Sequence, residues 1–456
     1  MMKKILYLFL MILFLGACVS DDDDDTTQDT PDILTQLQNI EGISVVEINP
    51  PNNFNGRAFQ IDVTQNIDHD DPSVGTFTQR CYLSHHDQNS PLVLHTRGYF
   101  ITSNYITELT FLLQANQLMV PHRYFAGAQP DDLDWHYLDI EQAAADHHHI
   151  VNLMKPIYTG KWVNTGASKG GMTAFFHRRF YPEDVDVTVS YVAPLMFGFE
   201  DPRFEPFLLE EVGDADCRQR VMEFQRLMLT HRDELIPLLT ELGLTYSIGT
   251  DVAFEYAVLE YLFFFWQYYR SGDCESLPGS DATLDEMFSR IRNYLPYYAD
   301  EGIEDFLPFW YQAITELGYY RLITEHLADL LEVVTDPTLS LFAPGDAVHY
   351  FKPDAMIDTH EWLKTRGNNI IYLYGGLDPY TIASVEVSEQ TNALKIIQPG
   401  ASHGVRIADL DQRQLVYDTL ENWLDVEIDG SASTYREPSE LELYLQLLQN
   451  RKKIRL

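Results

Sequence analysis

Trp162-Val163-Asn164-Thr165-Gly166-Ala167-Ser168-Lys169-Gly170-Gly171-Met172 sets a serine between a short strand, predicted over 161–164, and a helix, predicted over 169–181. A nucleophile elbow needs this order. The serine occupies a strained turn, so its neighbours must be nearly free of side chains. Its hydroxyl then stands above the sheet, and the helix aims its first N–H groups at the same point, where an oxyanion would form.

A serine hydroxyl is a weak nucleophile and needs a base oriented by an acid. In chain order the partners follow as acid, then histidine. Tyr374-Gly375-Gly376-Leu377-Asp378-Pro379 comes directly after an apolar strand predicted over 370–374. Gly400-Ala401-Ser402-His403-Gly404 follows the next strand, predicted over 393–398. A strand-end aspartate can fix an imidazole, and a small-residue loop lets that imidazole reach Ser168. Ser168, Asp378 and His403 are the candidate catalytic residues. The candidate oxyanion donors are the backbone N–H of Lys169 and that of Gly98 or Tyr99, in the turn after the predicted strand 91–96. The Lys169 side chain is expected to point away from the reacting atoms.

Working outward, strands are predicted over 57–64, 76–84, 91–96, 117–120 and 185–192, and a helix over 139–154. After Pro194 the strand signal stops. From about residue 200 to 343 the chain reads as helices loaded with Leu, Phe and Tyr; strands return at 370, and a helix over 410–424 follows. β/α units interrupted by a helical block describe an α/β-hydrolase fold with a large inserted helical cap. The expected division is a core in two parts, 41–199 and 346–430, a cap over 200–345 and a C-terminal tail helix within 431–456.

The ends carry addressing signals. Lys3 and Lys4 precede an apolar run from Ile5 to Leu15, too short to span a bilayer as a mature helix. Leu15-Gly16-Ala17-Cys18 resembles a bacterial lipobox, so residues 1–18 read as a lipoprotein signal peptide with Cys18 as the lipidated residue. Residues 19–40, beginning with the acidic run Asp21 to Asp25, are expected to be a tether; such runs also resemble surface-export signals of some Gram-negative lipoproteins. An exported protein held by lipid at the outer membrane, on its periplasmic or outer side, is the expectation. A net charge of −38, from 69 acidic and 31 basic residues, repels phosphate backbones and argues against a nucleic-acid partner. With Cys18 taken by lipid, Cys81, Cys217 and Cys274 allow at most one internal disulfide and one free thiol.

No cofactor loop stands out, and no metal site is expected. Asp146-His147-His148-His149 is the obvious cluster, but adjacent helical residues point in different directions, and the run reads as a solvated helix face. The aromatic run from Phe254 to Tyr269 reads mainly as packing core, with a few members lining a pocket beneath the cap.

At these residues the chain resembles the secreted bacterial tripeptidyl aminopeptidases of the PS-ten type, distant relatives of lysosomal prolyl carboxypeptidase. The likeness runs from about residue 90 to 425. It is carried by Asp134-Trp135, Leu138-Asp139-Ile140, Gln142-Ala143-Ala144, Lys155-Pro156, the run from Ser168 to Ala174, Arg178-Arg179-Phe180-Tyr181-Pro182 and Tyr191-Val192-Ala193-Pro194. In the cap it is carried by Asp216-Cys217-Arg218, Phe265-Trp266-Gln267-Tyr268 and Asp273-Cys274. The resemblance implies cleavage of short peptides from free N-termini through an acyl-enzyme. It puts the acid and base on Asp378 and His403, and makes Trp266 and Gln267 candidate substrate contacts. Cys217 and Cys274 enclose a helical stretch of the cap and are expected to pair, leaving Cys81 as a free buried thiol.

The chain departs from the family where Pro121 stands at a position that commonly holds Glu. The substrate's ammonium then needs another carboxylate. Tyr311-Gln312-Ala313-Ile314-Thr315-Glu316 resembles a segment of the prolyl-peptidase relatives, which implies Glu316 in that role, with Glu255 and Glu260 as weaker candidates. Two other functions compete with an aminopeptidase: an esterase or lipase on the same fold, and a surface peptide-binding lipoprotein without activity. The sequence is silent on oligomeric state.

Overall fold

The computed structural model describes residues 31–270, 272–344, 351–428 and 437–451. The leader, Cys18 and the acidic run Asp21 to Asp25 lie outside them. Nine strands form one sheet: β1 (Ile43–Ile48), β2 (Arg57–Asn66), β3 (Thr76–His85), β4 (Leu92–Thr96), β5 (Asn116–Val120), β6 (Trp162–Ala167), β7 (Val187–Tyr191), β8 (Ile370–Gly375) and β9 (Leu394–Gln398). Their spatial order is β1-β2-β3-β5-β4-β6-β7-β8-β9. The first three strands and β5 pair antiparallel. From β5 across to β9 every pair is parallel. This is the α/β-hydrolase arrangement.

A parallel sheet must be covered on both faces, so its strands read as continuous apolar runs. Alternate residues of β8 show this: Ile371 and Leu373 pack with Val416 and Leu420 of the helix Arg413–Leu424, while Ile370, Tyr372 and Tyr374 pack with Met172 and Phe175 of the helix Lys169–Phe180. Leu92 and Leu94 of β4 meet Ile150, Val151 and Met154 of the helix Ile140–Met154. Ser168, Asp378 and His403 therefore all follow C-terminal ends of parallel strands, the end where open α/β sheets place their sites.

Between β7 and β8 the chain leaves the sheet. Helices Ala215–Thr230, Arg232–Glu241, Thr250–Gln267, Leu284–Ile291 and Asp300–Gln312 form the cap. Thr250–Gln267 is its axis, buried on nearly every side, as a helix apolar all round must be. A disulfide joins Cys217 to Cys274, with Cα atoms 5.7 Å apart, and Cys81 is a free buried thiol. Among the described residues no helix is long and apolar enough to cross a membrane.

Two expectations need correction, and two elements add to what the sequence shows. The tether does not reach residue 40, because Ile33–Gln38 is a helix whose Ile33 and Leu37 pack into the core with Phe59 and Ile61. The edge strand β1 was not foreseen; its exposed Val46 gives it no clean alternation. The expected C-terminal helix is present at Glu440–Asn450, and it packs on the rest of the chain: Tyr444 and Leu448 meet Phe100 and Phe125, and Arg451 pairs with Asp305 at 2.7 Å. Finally, Asp146 and His147 are buried rather than solvated. Asp146 receives Arg123 through Nε and Nη2 at 2.8 and 2.7 Å, with His69 at 2.8 Å. His147 bonds to the Ala143 carbonyl, while His148 turns to Asp184.

Candidate active site

Ser168 has φ 56° and ψ −127°, a conformation a residue with Cβ adopts at a cost of order 1–3 kcal/mol. The surroundings hold it there. Its N–H donates to the Tyr191 carbonyl on β7 at 2.8 Å, and its own carbonyl starts the next helix by accepting from Met172. The glycines are steric necessities. A Cβ on Gly166 would sit 2.3 Å from the Gly170 oxygen, and one on Gly170 would sit 2.7 Å from the Thr96 oxygen.

Asp378 follows β8, is fully buried, and caps a short turn by accepting from the Tyr380 N–H at 3.1 Å. Its other oxygen meets Nδ1 of His403 at 2.6 Å. That bond fixes the ring and leaves Nε2 to accept a proton. The His403 backbone N–H donates to the Gln267 carbonyl at 3.0 Å, so the end of the cap's axial helix holds the histidine loop. Ser168 and His403 line one cavity between core and cap.

The turn after β4 presses against the start of the nucleophile helix. A Cβ on Gly98 would lie 2.6 Å from Lys169 Cβ and 2.7 Å from the Gly170 nitrogen. The Lys169 side chain is buried, and Nζ donates to the Gly98 carbonyl at 2.9 Å, over the rings of Tyr99 and Phe125. It thus points away from the cavity, as the sequence suggested. Because a trans peptide directs its C=O and N–H oppositely, this bond turns the Tyr99 N–H away from Nζ. Burial pushes the Lys169 ammonium well below its ordinary range, with Glu316 opposing the shift.

The remaining candidates separate. Gln267 lines the cavity. Trp266 does not: it is buried against Gly213 and stacks on Tyr269, a packing residue rather than a substrate contact. Glu316 also stands outside the lining. Its Oε2 accepts the Ile140 N–H at 3.0 Å, capping the same helix N-terminus as Asp139. Burial, then the neighbouring Asp139, raises its carboxyl to about 8. Glu255 is held by Arg232 at 2.6 Å and by the backbone N–H groups of Glu332 and Val334. Glu260 is the cap carboxylate in the cavity wall. Pro121 lies outside that lining as well, its carbonyl accepting from Gln79 at 2.8 Å. Sequence reasoning missed one wall altogether: Glu437, Pro438, Ser439 and Tyr444 of the C-terminal segment border the cavity. The only signal for it was the apolar periodicity of that helix.

The sequence matches the family model described as PS-10 peptidase S37 over residues 27–440. It is 33% identical over 441 residues to a prolyl tri/tetrapeptidyl aminopeptidase of Streptomyces mobaraensis, spanning 93% of this chain and 92% of that protein. A serine protease of Bipolaris victoriae (strain FI3) is 27% identical over 144 residues, 26% of this chain and 27% of that protein. Among solved structures, proline iminopeptidase of Mycobacterium smegmatis aligns with TM-score 0.37 and 10% identity, over 79% of this chain and 98% of that one. With an elbow serine and an Asp378-held His403 on one cavity, and a family match along nearly its whole length, this chain belongs to the PS-10 peptidase family S37 and is a serine peptidase.

Proposed function

We propose that this protein is an aminopeptidase that removes short peptides from free N-termini, with Ser168 as nucleophile, His403 as base and Asp378 as the acid that orients it. The observation carrying this is the Asp378–His403 contact of 2.6 Å on the cavity that Ser168 lines. In acylation, Ser168 Oγ attacks the scissile carbonyl carbon while Nε2 of His403 takes its proton. The oxyanion is received by the N–H of Lys169 and that of Gly98 or Tyr99. Collapse breaks the C–N bond, and the imidazolium returns the proton to the leaving amine. Water, activated by the same imidazole, then hydrolyses the ester.

Fragment length follows the Streptomyces relative, whose name specifies tri- and tetrapeptides. The cap supports release of short fragments, since it roofs the cavity and the C-terminal segment walls it. Gln267 is a substrate contact in this reading. A panel of chromogenic peptides of two to five residues, free or N-acetylated, beside short-chain esters, tests it. Free-amine peptides should be turned over well ahead of N-acetyl peptides and esters, which serve as slower controls; faster turnover of esters or blocked peptides overturns it. Export and lipid attachment at Cys18 to the outer membrane complete the proposal. Metabolic labelling with a fatty-acid analogue should mark the wild type, and label persisting in Cys18→Ala would refute the anchor.

A further inference from the structure

Glu260 sits in the middle of the axial cap helix, 3% exposed, and lines the cavity that holds Ser168 and His403. Its two oxygens accept one hydroxyl each: Tyr298 donates to Oε2 and Tyr320 to Oε1, the latter at 3.0 Å. Among the described residues, no cation pairs with it. Outside the cavity wall, Glu255 on the same helix is matched by Arg232; within the wall, Arg406 lies 4.0 Å from Glu437, and Arg97 and Arg270 complete the charged lining. Burial alone, countered only by the two phenols, raises the Glu260 carboxyl to about 7.

A carboxylate buried without a cation is costly, and a carboxylate offers about four acceptor positions. Two are in use. The cavity around it is aromatic, including Phe309, Trp310 and Tyr319, and ring faces attract a cation as the carboxylate does. The site is built for an ammonium that the chain itself does not provide.

We infer that Glu260 receives the α-ammonium of the peptide substrate, fixing the N-terminal end of the fragment whose carbonyl is attacked at Ser168. The inference rests on the aminopeptidase reading and says which residue makes it selective. Tyr298 and Tyr320 aim the carboxylate, and the ammonium takes its free positions. A lysine side chain carries the same chemistry, so the substrates in the test contain no lysine, except for one N-acetylated peptide that does.

The test compares kcat/KM of wild type, Glu260→Gln and Glu260→Asp on free-amine tripeptides, their N-acetyl counterparts and a short-chain ester. Gln keeps the size, accepts from one phenol through its amide oxygen and donates its N–H to the oxygen of the other. Its kcat/KM on free-amine peptides should fall roughly ten- to a hundredfold, the scale of one charge-assisted hydrogen bond, with less than about threefold change on the ester. The Asp variant, which keeps the charge but withdraws it, should lie between the two, and supports the inference independently if Gln does not fold. Equal losses on amine and ester substrates, or an unchanged amine preference in both variants, overturn the inference. A lysine-containing N-acetyl peptide cleaved as well as a free-amine peptide would move the subsite to side-chain recognition and overturn it too. Wild-type indifference to N-acetylation would instead defeat the aminopeptidase reading itself.

Discussion

The core and the cap bury acidic groups on different terms. In the core, three buried aspartates meet a cation or a ring nitrogen: Asp146 meets Arg123 on both oxygens, Asp184 meets His177 and His148, and Asp378 meets His403; Glu108 takes the Tyr191 hydroxyl and the backbone N–H groups of Ile407 and Ala408. In the cap, Glu255 is likewise satisfied by Arg232 and three backbone N–H groups, whereas Glu260 has only phenols. A fully matched group holds a shape. A partly matched one facing a cavity has capacity left for a ligand. On the proposed reading the core carries the bond-making chemistry, and the cap carries recognition.

That division can be broken most severely from the core. Replacing His403 with Ala should lower kcat by about 10⁴-fold or more on every substrate, amine or ester, with the fold retained. A loss confined to free-amine peptides would place His403 in recognition instead. Next in size is the turn after β4. Gly98→Ala forces a Cβ to within 2.6 Å of Lys169 Cβ, so the turn and the nucleophile helix must part. Disturbing an oxyanion donor lowers kcat by about 10²- to 10³-fold, and KM should change little. Unaltered kcat would remove residues 97–99 from the reacting site.

The cap can be loosened without touching the core. The Cys217–Cys274 bridge closes a loop with sequence separation 57, for which chain entropy alone gives roughly 4 kcal/mol. The Cys217→Ser variant should melt earlier and show a raised KM, with kcat on a small ester nearly unchanged. Equal melting of both proteins would mean the bridge adds nothing to the folded state.

How much of this was legible in the sequence follows the same line. Gly166-Ala167-Ser168, Leu377-Asp378-Pro379 and Ser402-His403-Gly404 are each local signals, a few residues wide, in an order a sheet of this kind dictates. Recognition is not local. Glu260, Tyr298, Tyr320 and the wall around Pro438 come from separate segments that only folding brings together, and nothing in the spacing of Glu260 separates it from Glu316. Asp146 misled for a similar reason: a run of Asp and three His looks solvated until Arg123 and His69, both distant in sequence, arrive beside it.

The smallest expected effect separates the two glutamates. Glu316 is a helix cap with its carboxyl raised to about 8. A folded-state value above the unfolded one means the native state holds a proton that the unfolded chain has released. Stability from this group is full below about 4.5 and is lost as pH rises towards 8. Glu316→Gln, which cannot ionise, should therefore gain melting temperature on wild type between pH 5 and pH 9, by roughly 1–2 °C. Its kcat/KM should fall alike, if at all, on free-amine peptides and esters. A selective loss on free-amine peptides would return Glu316 to the substrate.

Covalent labelling tests the central assignment most directly. A serine-directed fluorophosphonate should add one label mass to the protein, mapped to the peptide containing Ser168, with activity lost in parallel as the label is gained. Glu260→Gln should still be labelled, because the core is intact, and His403→Ala should be labelled far more slowly. Label on another serine, or activity that survives full modification of Ser168, would contradict the assignment of Ser168 as nucleophile.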